Sequence, residues 1–163
     1  MTAHALLQAL LRYKADADAE LLDALVALPE PSTPATREAL RVLNHAHIVD
    51  RIFAAHLEKR AHAYETNWID DAPPIAQLSS GMRDTDRWYI DYVSRLSPAA
   101  LEETIDFVFT DGARGRMSRE EMLAHVITHA GYHRGEAGRL LPQINARDVF
   151  AGYLHRVEPG RRE

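Results

Sequence analysis

Three histidines lie four residues apart near the end of the chain: His125, His129 and His133, in the segment HVITHAGYHRGE. If this segment is helical, adjacent members of the series differ by about 40° in direction and about 6 Å along the axis. Two adjacent imidazoles can then bind one metal ion through bonds of about 2.1 Å, whereas the outer two are too far apart. The spacing therefore predicts a ligand pair, either His125 with His129 or His129 with His133.

A third ligand has to come from another helix, and His45 is the best candidate. It shares a predicted helix face with apolar residues that should point into the protein, namely Val42, Val49 and Ile52. His47 is about 200° away from His45 around the helix, so we expect it to face outward or sideways. His56 shares the His45 face but lies about three turns further along, which is too far for the same ion.

Three neutral imidazoles leave one coordination position open, which is typical of catalytic rather than structural metal sites. An ion held in this way lowers the pKa of bound water, or converts a bound thiol into a thiolate. The sequence contains no HExxH motif, so a zinc protease would lack its general base. It also contains no cysteine, which excludes disulfides, cysteine-ligated metals and cysteine nucleophiles. Any thiol must therefore be a separate small molecule.

The elements that must position these histidines are mostly helices. Apolar residues recur at three and four positions over 3–28, and prolines then end the pattern. A second helix is predicted over 34–64 with Thr33 as its N-cap, and a third over 74–96, with Pro98 marking a break.

The segment after the third helix changes period. Large apolar residues stand at every second position, at Ile105, Phe107 and Phe109, and alternate with Asp106, Val108 and Thr110. Asp111-Gly112 follows, which predicts a short hairpin returning over 114–117. Ser118 and Glu121 fit a capping box that opens a fourth long helix ending near residue 141. A last short helix is predicted over 148–155. The pattern indicates one all-α domain over 1–163, a four-helix bundle with a β-hairpin inserted before the last long helix.

Composition narrows the possible functions. The chain has 163 residues, 46% hydrophobic and 26% charged, which is ordinary for a globular domain. A net charge of −5 argues against general nucleic-acid binding, which requires a basic face. No stretch of about 18 apolar residues occurs, and the N-terminus does not have the pattern of a signal peptide. We therefore expect a cytoplasmic protein without membrane or nucleic-acid partners.

Three blocks of the sequence resemble those of the DinB-like (damage-inducible, YfiT-related) metalloprotein family. They are RYKADADAELL, LNHAHIVDRIF and THAGYHRGE, and they occur in the same order as in that family. The resemblance implies a metal triad of His45, His129 and His133, and so selects one of the two pairs left open by spacing. It also implies a four-helix bundle that is often a homodimer and binds a divalent metal, zinc or nickel being expected here. The chain departs from the common family pattern at Asp16, Asp18 and Glu136.

The resemblance also suggests an activity. Characterised branches of the family are S-transferases and isomerases that use low-molecular-weight thiols such as mycothiol or bacillithiol. Our first hypothesis is therefore a metal-dependent enzyme that activates an external thiol to act on a small-molecule substrate. The alternatives are a metal-dependent hydrolase, with Asp50 and Glu136 as candidate bases, and a non-enzymatic, stress-related bundle with a structural metal site. An anionic thiol would require basic residues at the pocket mouth, for which the chain offers Arg12, Arg51, Arg134 and Arg139.

Overall fold

Four long helices form a bundle in the computed structural model, which describes residues 1–28 and 33–141. The elements, in chain order, are α1 (Ala3–Val26), α2 (Pro34–Leu57), α3 (Ile75–Ser94), α4 (Pro98–Leu101), β1 (Thr104–Val108), β2 (Arg114–Ser118) and α5 (Arg119–Leu140). The two strands form an antiparallel hairpin directly before the last long helix. The predicted all-α bundle with an inserted hairpin is confirmed.

Local sequence signals account for most helix starts and for the turn. Thr33 accepts a hydrogen bond from the Thr36 amide at the start of α2. Ser118 and Glu121 form the predicted capping box at the start of α5. Gly112 has a φ of 87° in the hairpin turn, a backbone conformation that favours glycine.

One predicted boundary was wrong, and one break is also a helix start. The second helix ends at Leu57 and not at residue 64, because Lys59 adopts a left-handed φ of 54° and ends the helical path. Pro98 does not only mark a break: it is the first residue of the short helix α4, which Ser97 caps. The predicted helix over 148–155 lies outside the described residues.

The bundle core is divided into two apolar clusters. Helix α1 packs mainly on α3, and α2 packs mainly on α5. The cluster nearer the hairpin includes Leu11, Phe53, Tyr89 and Val126, together with Ile105 and Phe107 of β1. The other cluster includes Leu22, Leu43, Met82 and Ala137.

Buried charged residues from all four long helices lie at the boundary between the two clusters. Lys14, Asp18, Asp50 and Asp86 are each at most 4% exposed, and Arg134 is partly buried beside them. We call these five residues the polar layer. Over the described part of the chain, no helix is both long and apolar enough to cross a membrane.

Candidate metal centre

The structure brings His45 of α2 together with His129 and His133 of α5. One nitrogen of each ring can be chosen so that all three lie within 4.8 Å of one another, the only such group of three among the described residues. The Nε2 atoms of His129 and His133 are 3.2 Å apart. Two ligands of one tetrahedral ion with bonds of about 2.1 Å would be separated by about 3.4 Å. The cluster is therefore compatible with a metal site.

The outer ring nitrogens of two of these histidines are already hydrogen bonded. Nδ1 of His45 donates to the carbonyl oxygen of Asn67 over 2.6 Å, which leaves its Nε2 free to bind an ion. Nδ1 of His133 donates to the Glu136 carboxylate over 2.9 Å. Such partners fix the tautomer and orientation of a metal-binding imidazole. Nδ1 of His129 is buried and has no hydrogen-bond partner among the described residues.

The surroundings of the two histidines on α5 favour the neutral form that metal binding needs. Burial, reinforced by the neighbouring histidines, lowers the pKa of His129 to about 3. Burial also lowers the pKa of His133, although the Glu136 carboxylate acts in the opposite direction. Both imidazoles are therefore neutral near pH 7, the form that binds a metal ion. A donor set of three imidazoles suits a divalent transition metal.

Two aromatic side chains flank the cluster. The Trp68 ring lies 5.3 Å from the His45 ring, and the Tyr132 ring lies 5.0 Å from the His133 ring. Both are unusually exposed for large side chains, Trp68 at 37% and Tyr132 at 71%. The sequence did not reveal the roles of Asn67 and Trp68, because their loop has no periodicity that would place it beside α2.

The remaining histidines of α2 and α5 do not join the cluster. His56 instead lies 4.8 Å from the Phe107 ring, and His125 lies 4.6 Å from the Phe53 ring. The expectation that His47 faces outward or sideways was wrong, because it is only 8% exposed against α3. Its angular position relative to His45 was right, but a bundle helix is covered on more than one side. Burial lowers the pKa of His47 to about 4.

The polar layer lies next to this cluster in the chain, since Arg134 follows His133. Lys14 Nζ lies 2.9 Å from Asp18, 2.8 Å from Asp50 and 2.5 Å from Asp86. Arg134 pairs with the second oxygen of Asp18 at 2.8 Å. Asp50, a candidate base in the sequence, therefore pairs with Lys14 in the bundle interior and not with the histidine cluster.

Three carboxylates in the polar layer face only two cations. One oxygen of Asp50 and one of Asp86 are buried without a hydrogen-bond partner among the described residues. Burial raises the pKa of Asp50 to about 7 and that of Asp86 to about 6, against the opposing effect of Lys14. Burial therefore opposes full ionisation of the three carboxylates, and the two whose pKa values are raised take up protons at a higher pH than exposed aspartates do.

Comparison with known proteins agrees with this architecture. The family model described as DinB family matches residues 1–153. No curated protein matches the chain. The match covers nearly all of the sequence, including the helices that carry all three clustered histidines, and the chain therefore belongs to the DinB family.

Proposed function

We propose that the protein is a metal-dependent enzyme that activates an external low-molecular-weight thiol for S-transfer or isomerisation on a small-molecule substrate. His45, His129 and His133 would hold the divalent ion, zinc or nickel. The observation that carries this proposal is a cluster of three imidazoles with no further metal-ligating side chain close enough to join it among the described residues. Such a set leaves a coordination position for an exogenous ligand.

A divalent ion bound there would lower the pKa of a thiol and hold it as the thiolate. Since the chain has no cysteine, the sulfur must come from a small molecule. In a transfer, the sulfur would form a bond to an electrophilic carbon, and the leaving group would depart with the bonding electrons. The chain's own contribution is orientation: Asn67 aligns His45, and Glu136 aligns His133. Trp68 and Tyr132 offer aromatic surface to the organic part of a substrate.

The two alternatives have less support. A hydrolase would need a free carboxylate as general base, yet Asp50 is buried against Lys14 and Glu136 is bonded to His133. A structural metal site normally has four protein ligands, and the cluster supplies three.

We also propose a homodimer in the cytoplasm. Gly131 and Gly135 lie on the exposed side of α5, where a Cβ added at Gly135 would meet no atom within 4 Å. Small residues on an open helix face allow close approach of a second helix, and light scattering on the purified protein would give the number of chains.

Metal content is the first test. Protein purified without a histidine tag should contain about one transition-metal ion per chain by mass spectrometry, and His45→Ala should contain none. His47→Ala is the matched control, a histidine two residues away on the same helix, and it should keep the ion. A second comparison separates the two possible pairs: His133→Ala should lose the ion and His125→Ala should keep it. Loss in His47→Ala to the same degree as in His45→Ala would contradict the assignment.

Activity is tested on the metal-loaded protein. We expect a thiol-dependent rate above background with an electrophilic aryl halide and bacillithiol or mycothiol, abolished in His45→Ala. Hydrolysis of an aryl ester without any thiol would favour the hydrolase. A filled site that supports neither reaction would favour the structural metal site.

A further inference from the structure

A polar cleft of about 360 Å³ lies between α2 and α3, and it shares no lining residue with the histidine cluster. Its walls include His47, Arg51, Arg60, Gly81, Thr85 and Trp88. Helices α2 and α3 pack together less extensively than α2 and α5 do, which leaves room for the cleft.

The two arginines that line the cleft are at most partly paired with carboxylates among the described residues. No carboxylate among them pairs with Arg51, whose guanidinium lies over the Tyr64 ring at 5.6 Å. Arg60 uses only its Nε, which donates to Glu58 over 2.5 Å. The one acidic residue lining the cleft, Asp84, is already paired with a neighbouring arginine, Arg87. Two guanidinium groups therefore face one cleft, and each has N–H donors that no described residue uses. The cleft is locally basic although the net charge of the whole chain is −5.

The floor of the cleft is built from a partly buried hydrogen-bond chain. The Thr85 hydroxyl donates to the carbonyl oxygen of Gly81 over 2.9 Å, so its oxygen accepts from Nε2–H of His47 over 3.1 Å. The His47 ring lies close to the backbone of α3 because residue 81 is glycine. A Cβ added at Gly81 would be 2.7 Å from Cε1 of His47. The cleft is thus shaped by buried residues and not only by surface arginines.

We propose that this cleft binds a small organic anion, in which a carboxylate or phosphate pairs with Arg51 and Arg60 while a planar ring lies against Trp88. Guanidinium groups bind these oxyanions through paired hydrogen bonds. The Trp88 ring already stacks on Tyr92, at 4.8 Å and 18°, so it is held in place as a flat surface. A second cleft of about 370 Å³ shares His47, Arg51 and Gly81 with the first, so Arg51 lies where the two meet.

Calorimetric titration with three probes tests the proposal: inorganic phosphate, phenyl phosphate and benzoate. We expect phenyl phosphate or benzoate to bind more tightly than inorganic phosphate, because only these carry a ring. Comparison of the two ring compounds tells a phosphate ligand from a carboxylate ligand. Arg51→Gln should weaken binding at least about tenfold, and Arg51→Lys should weaken it less. Arg114→Gln, which removes the same charge from the exposed hairpin, is the matched control and should bind like the wild type.

Two further variants separate the cleft from general charge and from the metal centre. Gly81→Ala keeps every charge but displaces His47, and it should weaken binding with unchanged helix content by circular dichroism. His45→Ala should bind the anions normally, since the two sites share no residue. Equal affinity of Arg51→Gln and Arg114→Gln, or no binding of any probe at millimolar concentration, would overturn the proposal.

Discussion

Replacing Lys14 with methionine tests how the polar layer is held together. Lys14 is 1% exposed and forms ion pairs with Asp18, Asp50 and Asp86. Methionine has nearly the same length without the charge, so the change removes the ammonium and little else. Removing one partner of a buried ion pair costs about 3–5 kcal/mol, because the other charge is left uncompensated.

The structure allows a closer figure. Without Lys14, Asp18 keeps Arg134, whereas Asp50 and Asp86 lose the only cation that pairs with them among the described residues. With no cation beside them in the interior, Asp50 and Asp86 cannot both stay ionised, so the folded variant must take up a proton. Protonating a carboxyl group at pH 7 when its unfolded pKa is 3.8 costs at most about 4 kcal/mol. We therefore expect Lys14→Met to lower the free energy of unfolding by about 4 kcal/mol at pH 7.

The loss of stability caused by Lys14→Met should be smaller at acidic pH. When folding raises the pKa of a carboxyl group, that group destabilises the folded state. The destabilisation grows as pH rises from the pKa of the group in the unfolded chain to its pKa in the folded protein. At pH 5 the same protonation costs only about 2 kcal/mol. Lys14 adds no slope of its own here, since its pKa in the folded protein is raised well above 10.5. The loss of stability in Lys14→Met should therefore be about half as large at pH 5 as at pH 7.

Urea unfolding followed by circular dichroism, with chelator present, measures these differences. Lys59→Met is the matched control, because Lys59 is the chain's other lysine and is 56% exposed in its pair with Glu103. It should change the unfolding free energy by less than about 0.5 kcal/mol. A penalty below about 1 kcal/mol for Lys14→Met at pH 7, or an equal penalty at both pH values, would refute the reasoning.

Three further predictions concern the metal centre and the hairpin. Glu136→Gln should weaken metal binding about tenfold, measured in competition with a chromophoric chelator. This is the lower end of the roughly 10–100-fold loss that is usual for such hydrogen-bond partners, because the Glu136 side chain is 36% exposed. Unchanged affinity would mean that Glu136 does not orient His133. Gly115→Ala should lower the free energy of unfolding by about 1–3 kcal/mol in thermal unfolding, since the new Cβ would lie 2.5 Å from Cζ of Phe107. Unchanged stability would show that the Phe107 ring moves freely. A chelator should lower the melting temperature of the metal-loaded wild type but not that of His45→Ala, because an ion bound only to the folded state stabilises it.

Patterns confined to one element predicted that element well. The long helices follow from leucine spacing and caps, and the hairpin follows from alternation around Gly112. The early end of α2 could not be predicted, because Lys59 adopts its left-handed conformation with no glycine or asparagine to mark it. The prediction that His47 is exposed was also wrong. Helix phase gives the direction of its side chain but does not say which neighbouring helix covers that side of α2.

Part of the candidate site could be predicted from the sequence for the same reason. Helical spacing left His129 to pair with either His125 or His133, and the family resemblance selected His133. The apolar face of α2 pointed to His45. Lys14 and Asp18 also carried a usable signal, a charged pair four residues apart on the leucine stripe of α1. Their pairing with Asp86, like the hydrogen bond from His45 to Asn67, depends on how distant segments meet, which no local pattern encodes.

The polar layer also bears on which arrangements of the bundle are allowed. Leucine-rich stripes tolerate a slip of one helical turn, about 5.4 Å, because one leucine can replace another in the same space. Such a slip would carry Lys14 away from Asp50 and Asp86 and leave unpaired charges in the interior. A misaligned bundle would therefore be far less stable than the native one, even with the same apolar area buried. The ion pairs would thus set the relative heights of all four long helices, and with them the height at which His45 meets His129 and His133.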